Sequence, residues 1–187
     1  EVPRIINVES ERLAHLINNI LDMGRIDQGR KVYDIRPIDL SATVQNTLTA
    51  YEFHLKKNGF RVESDLAKDL TQVPADADAM TQALLNLMEN AIKYSDREKY
   101  LRVALRRDDG FAVIEVEDRG CGIPRDERDR VFEKFYRVER GLVHNVKGSG
   151  LGLALVKHIV DAHKGRIDIT EAPERGTRFT LRIPLQG

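Results

Sequence analysis

Ile6, Leu13, Leu16, Ile17, Ile20 and Leu21 recur at spacings of three, four and seven among charged and polar neighbours, which predicts an amphipathic helix early in the chain. The pattern fades at Gly24 and Gly29. Pro37 then marks a change of element before a second periodic run from Leu40 to about Leu55, with Asp39 or Ser41 as its cap. After Gly59 the period becomes two, as in Phe60-Arg61-Val62-Glu63, and the polar stretch to Pro74 has room for a further short strand. A third helical run, capped by Asp76 or Asp78, puts Met80, Ala83, Leu84, Leu87, Met88 and Ala91 on one face and reaches about Tyr94. Two β-rich runs follow, Leu101 to Leu105 and Phe111 to Val116, joined through Arg107-Asp108-Asp109-Gly110 as a hairpin. A polar stretch from Ile123 to Ser149 holds one aromatic knot, Phe132 to Tyr136. It gives way to a helix from about Leu151 to His163 and to strands at Arg166 to Thr170 and Thr177 to Ile183.

This order predicts a mixed sheet with helices interspersed. Because some strands are joined by hairpins, a doubly wound parallel sheet is not the expected arrangement. The first helix cannot bury its apolar stripe alone, so the stripe needs either a partner helix from a second copy or a seat on its own domain. Length and composition fit one domain with an appendage: 187 residues, 41% hydrophobic, 32% charged. With 30 Lys and Arg against 30 Asp and Glu, the charge balance gives no electrostatic footprint for nucleic acid. No apolar run approaches the roughly 18 residues of a membrane span, the start Glu1-Val2-Pro3 has neither a signal-peptide pattern nor an initiator methionine, and a cytoplasmic fragment is expected. The single cysteine, Cys121, excludes an internal disulfide framework and a multi-cysteine zinc site.

Candidate chemistry gathers in three places. Asn86, Asn90 and Lys93 stand four and three residues apart and share one helix face. Asn is a poor helix former, so two of them beside an apolar flank point to a polar ligand: an amide oxygen suits Mg²⁺ and an ammonium suits phosphate. Taken alone, the same segment reads equally well as two surface amides. Asp118-Arg119-Gly120-Cys121-Gly122 ends a strand that is apolar before the acid. A buried carboxylate there needs a donor such as the adenine amine, and the glycines admit close backbone approach, although this pattern also occurs in ordinary turns. Lys147-Gly148-Ser149-Gly150-Leu151-Gly152 precedes a helix, where free N–H groups and the helix dipole attract anions. Neither the P-loop nor Gly-x-Gly-x-x-Gly fits this run, so a different nucleotide fold is implied.

Asn86-x-x-x-Asn90, Asp118-x-Gly120-x-Gly122, Phe132-Glu133-Lys134-Phe135 and Gly148-x-Gly150-x-Gly152 occur in this order and resemble the N, G1, F and G2 boxes of two-component sensor histidine kinases. Gly176-Thr177-Arg178-Phe179 resembles that family's closing strand, so the likeness runs from about Pro37 to Leu185. The resemblance implies the α+β fold of the gyrase and histidine kinase ATPase superfamily, a two-layer α/β sandwich. In it a mixed, mostly antiparallel sheet of about five strands is backed by about three helices. Residues 1–34 resemble the second helix of the dimerisation and phosphoacceptor hairpin plus a linker, and 35–187 the catalytic ATP-binding domain.

Position by position, the resemblance implies that Asp118 holds the adenine amine and that Asn90 ligates Mg²⁺ with Asn86 beside it. Lys93 and Tyr94 then contact phosphate or sugar, and Gly120, Gly122 and Ile123 flank the base, with Thr177 behind it through water. Lys147, Gly148, Ser149, Gly150, Leu151 and Gly152 form the lid hinge and phosphate cradle. Arg137 approaches the nucleotide or the target histidine, and Phe132 and Phe135 anchor the lid. Catalytic roles fall to Asn86, Lys93 and Arg137. The expected ligands are ATP or ADP with Mg²⁺. The expected partners are a second copy through the N-terminal helix, an upstream phosphoacceptor histidine and a response regulator, and the parent would be anchored in the inner membrane by segments upstream.

None of the five histidines has the phosphoacceptor context, so this chain is expected to bind ATP without phosphorylating itself. Hydrolases of the gyrase type place a general-base Glu where Asn86 stands, and Glu89 is turned about a hundred degrees away round the helix. Serine kinases of the same superfamily lack the appended helix, and a nucleotide-binding scaffold without catalysis is the other alternative.

Overall fold

The computed structural model describes residue 14 and residues 17–95, 98–138 and 149–186. Along them run α1 (17–27), β1 (Arg36–Ile38), α2 (Leu40–Lys57), β2 (Arg61–Leu66), β3 (Val73–Ala75) and α3 (Ala77–Tyr94). β4 (Tyr100–Asp108), β5 (Phe111–Asp118), two 3-10 turns (Arg125–Glu127 and Arg130–Phe132), α4 (Gly152–Ala162), β6 (Arg166–Glu171) and β7 (Thr177–Pro184) follow. In each ambiguous cap the first candidate serves: Asp39 accepts the Ala42 N–H at 2.8 Å and Asp76 the Ala79 N–H at 3.0 Å. Asp109 and Gly110 both adopt positive φ, 43° and 80°, as a two-residue hairpin turn requires.

One sheet of five strands, ordered β2-β4-β5-β7-β6, carries the fold. β2 pairs with β4 in parallel because β3 and α3 intervene between them, and every other pairing is antiparallel. The mixed sheet expected from the element order, mostly antiparallel as the resemblance implies, is therefore present. A second, two-stranded sheet joins β1 to β3 with Ile38 opposite Val73. The sequence reading left room for β3 but not for its partner β1.

On one face of the large sheet α2 packs against α3 and α3 against α4, burying Leu40, Leu55, Met80, Leu84, Leu87, Met88, Leu155 and Ile159 over Leu101, Leu105 and Ile114. That alternation leaves the other face to charge: Glu63, Arg102, Glu117 and Arg178 stand opposite one another across four strands, with Arg178 Nη2 donating to Glu117 Oε2 at 2.7 Å.

Of the two occupants considered for the apolar stripe of α1, its own domain does not cover Ile17, Ile20 and Leu21. Ile17, Ile20 and Leu21 are 53%, 54% and 54% exposed, while Asn19, Asp22 and Met23 are buried against the domain. Positions 17 and 19 lie about 200° apart round a helix, so docking the side that carries Asn19, Asp22 and Met23 turns the aliphatic side outward. The helix sits with its polar face in. Asp22 is held by Lys31 Nζ at 2.7 Å and by Gln82 Nε2 at 2.9 Å; burial pushes its carboxyl up, yet these donors hold it below the ordinary range. Further on, the linker is fastened to the start of α3, where the Asp34 N–H donates to Asp76 Oδ2 at 2.9 Å.

Candidate functional site

α3 delivers the side chains of the first cluster because its apolar face, Met80 to Ala91, is sunk in the core and its polar stripe must emerge beside it. Asn86 is 4% exposed and committed: its Oδ1 accepts from Asn19 Nδ2 at 2.8 Å and its Nδ2 donates to the Gln82 carbonyl at 3.0 Å. In this arrangement Asn86 faces α1, one turn before Asn90 on the same helix. Asn90, one turn on, is different, since its Nδ2 is buried without a hydrogen-bond partner among the described residues. Lys93 is half-buried and Tyr94 is partly exposed at the helix end. Burial raises the Tyr94 phenol above its ordinary range, and the nearby Arg137 guanidinium opposes that shift.

Asp118 ends β5 at 6% exposure. Its Oδ1 accepts from the Gly120 N–H at 2.8 Å and more weakly from the Thr177 N–H at 3.3 Å, while Oδ2 accepts no bond among the described residues. Burial pushes this carboxyl up to about 6, against the two backbone donors, with Glu117 adding to the rise. The result is a desolvated acceptor with one open oxygen.

The glycines round it serve backbone contact. A Cβ on Gly120 would lie 2.5 Å from the Tyr94 carbonyl oxygen, and Gly122, at φ 73°, turns against Gly176. The Cys121 N–H also donates to the Tyr94 carbonyl at 3.0 Å, so the loop after β5 is pinned to the end of α3. The free space read for a flat ring is, on these sides of the glycines, filled by the protein's own main chain.

At the opposite end α4 begins at Gly152 with no side chain capping it, leaving its first N–H groups to other acceptors. Gly150, at φ 69°, is pressed against Phe135, whose N–H donates to the Gly150 carbonyl at 3.0 Å; Phe135 itself adopts φ 64°. The F and G2 boxes therefore clasp through main chain. Phe135, expected as a packing anchor for the lid, is 69% exposed. Leu151 is buried, and its N–H is 3.3 Å from Ser149 Oγ, which accepts it. Ile123 and Thr177 line the G1 side, while Lys147 and Gly148 lie outside the described residues.

The structure thus brings Asn90, Lys93, Tyr94 and Asp118 to the C-terminal end of α3, and Asn86 with Gly152 to its middle, where a Cβ on Gly152 would meet Asn86 Oδ1 at 2.9 Å. Sequence reasoning missed Asn19, Gln82 and the ion pair of Asp27 with Lys134. The available signal was Gln82 standing one turn before Asn86 on the same stripe.

Residues 75–187 match the model of the histidine kinase-, DNA gyrase B- and HSP90-like ATPases. Over 183 residues, 97% of the chain, it is 32% identical to the sensor protein RprX of Bacteroides fragilis, covering 35% of that protein. It is 33% identical over 176 residues, 94% of the chain, to the sensor-like histidine kinase SenX3 of Mycolicibacterium smegmatis, covering 46% of it. The chain thus spans less than half the length of these relatives. Among solved structures, the histidine kinase AdeS of Acinetobacter baumannii superposes with a TM-score of 0.75 at 26% identity, over 98% of this chain and 84% of that one. The order of elements, the sandwich and these matches agree: the chain belongs to the histidine kinase-, DNA gyrase B- and HSP90-like ATPase family, in its sensor histidine kinase branch.

Proposed function

We propose that this chain is the ATP-binding catalytic part of a sensor histidine kinase, moving the γ-phosphoryl of ATP to a histidine nitrogen for relay to a response-regulator aspartate. Asp118 carries the reading. Its carboxylate is buried with one oxygen held by backbone donors and the other without a partner among the described residues, which asks for a donor such as the adenine amine.

Asn90 fits Mg²⁺. Its buried Nδ2 has no partner among the described residues, which marks a side chain open to a further group, and its oxygen is a hard donor. Bound there, Mg²⁺ would neutralise phosphate charge. Lys93 and Tyr94 serve the phosphates and sugar, Gly120, Gly122, Ile123 and Thr177 the base side, and Lys147, Gly148, Ser149, Gly150, Leu151 and Gly152 the phosphate cradle. Arg137 stands beside Tyr94 at the mouth. Positioning and charge neutralisation carry the reaction, and no general base from this domain is needed.

In this reading residues 1–34 are the second hairpin helix with its linker, 35–187 the catalytic domain, and the protein is cytoplasmic at this end. The outward stripe of Ile17, Ile20 and Leu21 supports a homodimer. The accepting histidine in this reading belongs to the hairpin's other helix; in keeping with that, His163 is buried in hydrogen bonds and His54 lies against Glu89.

A titration with Mg–ATP tests the site. Asp118→Asn and Asn90→Ala should each weaken binding by about tenfold or more, the scale of a lost bond to a charged or metal-bound group. With radiolabelled ATP the chain alone should gain no stable phosphohistidine, whereas adding the complete hairpin should yield one. Unaltered affinity in Asp118→Asn removes the adenine role, and binding without any transfer favours the scaffold.

A further inference from the structure

Arg119 stands between Asp118 and Gly120, yet its guanidinium lies on the far side of the sheet from the Asp118 carboxylate. Side chains alternate along a strand, so Asp118 faces the core side with its partner Leu101 and Arg119 turns the other way. There it lies over Tyr100, its guanidinium carbon 4.0 Å from the ring centroid. Tyr100 is buried and anchored in turn, its hydroxyl donating to Glu63 Oε2 at 2.8 Å. From this seat Arg119 reaches two carboxylates on different connections. Nη1 pairs with Glu98, between α3 and β4, and Nη2 pairs with Glu174 at 3.0 Å, in the turn between β6 and β7.

Those two connections deliver the groups that set Asp118. Tyr94, four residues before Glu98, receives the Cys121 N–H at 3.0 Å and so holds the loop that carries the Gly120 donor. Thr177, three residues after Glu174, gives the second N–H to Asp118 Oδ1 at 3.3 Å, and Gly176 beside it abuts the Asp118 carbonyl. Glu98 and Glu174 are 56% and 66% exposed, and an isolated pair with either would contribute little. The cation that they share is only 19% exposed and stacked on a ring, and its planar fork spans both acids as a lysine's point charge would not. Its Nε is buried with no hydrogen-bond partner among the described residues, a cost that the rest of the arrangement offsets.

We propose that Arg119 is a positioning residue of the base-binding corner: by bracing Glu98 and Glu174 from behind, it aims the open oxygen of Asp118 and sets how strictly the site selects a base with an exocyclic amine. The inference deepens the nucleotide reading given above and rests on it. A brace of this kind acts on the one bond between Asp118 and the amine, whereas a residue that only holds the fold together would affect every nucleotide alike.

Inosine triphosphate isolates that bond, because its base carries a carbonyl oxygen where adenine carries the amine. The wild type should bind Mg–ATP about tenfold or more tighter than Mg–inosine triphosphate, the scale of one hydrogen bond to a charged group. Arg119→Met should narrow that preference about threefold or more by weakening ATP alone, since a small misplacement of a polar partner is felt strongly. Glu98→Gln and Glu174→Gln, at exposed side chains whose loss leaves the fold intact, should each narrow it in the same direction, and Arg119→Lys should fall between the wild type and Arg119→Met. A preference that Arg119→Met and both glutamine variants leave at the wild-type value overturns the proposal, and so does an equal loss of affinity for the two nucleotides. A wild type that binds both nucleotides alike, or neither, removes the base-binding role of Asp118 itself.

Discussion

Gly176 approaches the main chain at Asp118 so closely that a Cβ on it would lie 2.0 Å from the Asp118 carbonyl oxygen and 2.7 Å from Arg119 Cα. Gly176 also adopts φ 109°, a region that side chains rarely enter. The strand carrying the acid and the turn before β7 are thus locked by a contact that no other residue admits. Gly176→Ala should cost about 3 kcal/mol or more in chemical denaturation, because backbone on both sides must shift. Gly110→Ala is the control: its φ is 80°, but nothing lies within 4 Å, so only the conformational cost of about 1 kcal/mol applies. Equal losses in the two variants would show that the Asp118 contact contributes nothing.

Burial pushes the Asp118 carboxyl up to about 6, and this makes both stability and ligand binding depend on pH. A folded-state value above that of the unfolded chain means that the native protein holds this proton more tightly. The group's contribution to stability is then full at low pH and is lost as pH rises from about 4 to about 6. Asp118→Asn should abolish that slope and leave the fold at pH 7 as stable as the wild type or more so. Nucleotide binding runs the other way, since the adenine amine needs the ionised acceptor. Mg–ATP affinity should fall as pH drops below about 6 in the wild type, beyond the fall seen in Asp118→Asn, where only the phosphates titrate. Parallel pH profiles for the two proteins would remove Asp118 from the base-binding role.

Much of this fold was legible in periodicity. The switch from period 3.6 to period 2 after Gly59, the capping acids at Asp39 and Asp76 and the Asp109-Gly110 turn each act locally, so they survive without tertiary context. Strand β1 was illegible because Arg36-Pro37-Ile38 has no pattern of its own and becomes a strand only by pairing with Val73–Ala75. The candidate site divides in the same way. Asp118 and Asn90 could be picked out by residue type, yet the purpose of Gly120, Gly122 and Gly152 depends on which distant atom fills the space beside them. The docking side of α1 was hidden for a related reason. Its aliphatic stripe is the stronger signal in the sequence, and the side that docks is the polar one, held by Gln82 and Asn86 some sixty residues away.

Tyr33 packs its ring near His158 and His163, with centroids 5.9 and 5.7 Å apart, yet its hydroxyl is buried without a partner among the described residues. Burial, with Asp22 and Asp76 behind it, holds the phenol well above its ordinary range, so the group stays neutral. An unsatisfied hydroxyl contributes a penalty and no bond. Tyr33→Phe should therefore be neutral or stabilise the protein by up to about 1 kcal/mol, whereas Tyr33→Ala should cost about 3 kcal/mol through the lost ring. A melting temperature that drops as far in Tyr33→Phe as in Tyr33→Ala would mean that the hydroxyl has a partner after all.

His163 closes α4 and reaches the start of α3 across eighty-seven positions of sequence, its Nε2 accepting the Asp76 N–H at 2.9 Å. The other ring nitrogen, Nδ1, lies 2.6 Å from the Ile159 carbonyl oxygen. A carbonyl only accepts and an amide N–H only donates, so these two partners together select the neutral ring with the proton on Nδ1. Asp76 is the cap of α3, and its carboxylate also receives the Asp34 N–H from the linker that follows α1. One histidine therefore sets the relation of α4 to both. His163→Phe keeps most of the volume and removes the acceptor, leaving the Asp76 N–H without its partner at a cost of about 1–3 kcal/mol. The loss should be local before it is global, with faster hydrogen exchange at the Asp76 and Asp34 amides under conditions where the sheet amides of β5 remain protected. If the Asp76 amide in His163→Phe exchanges as slowly as in the wild type, the histidine is packing there and nothing more.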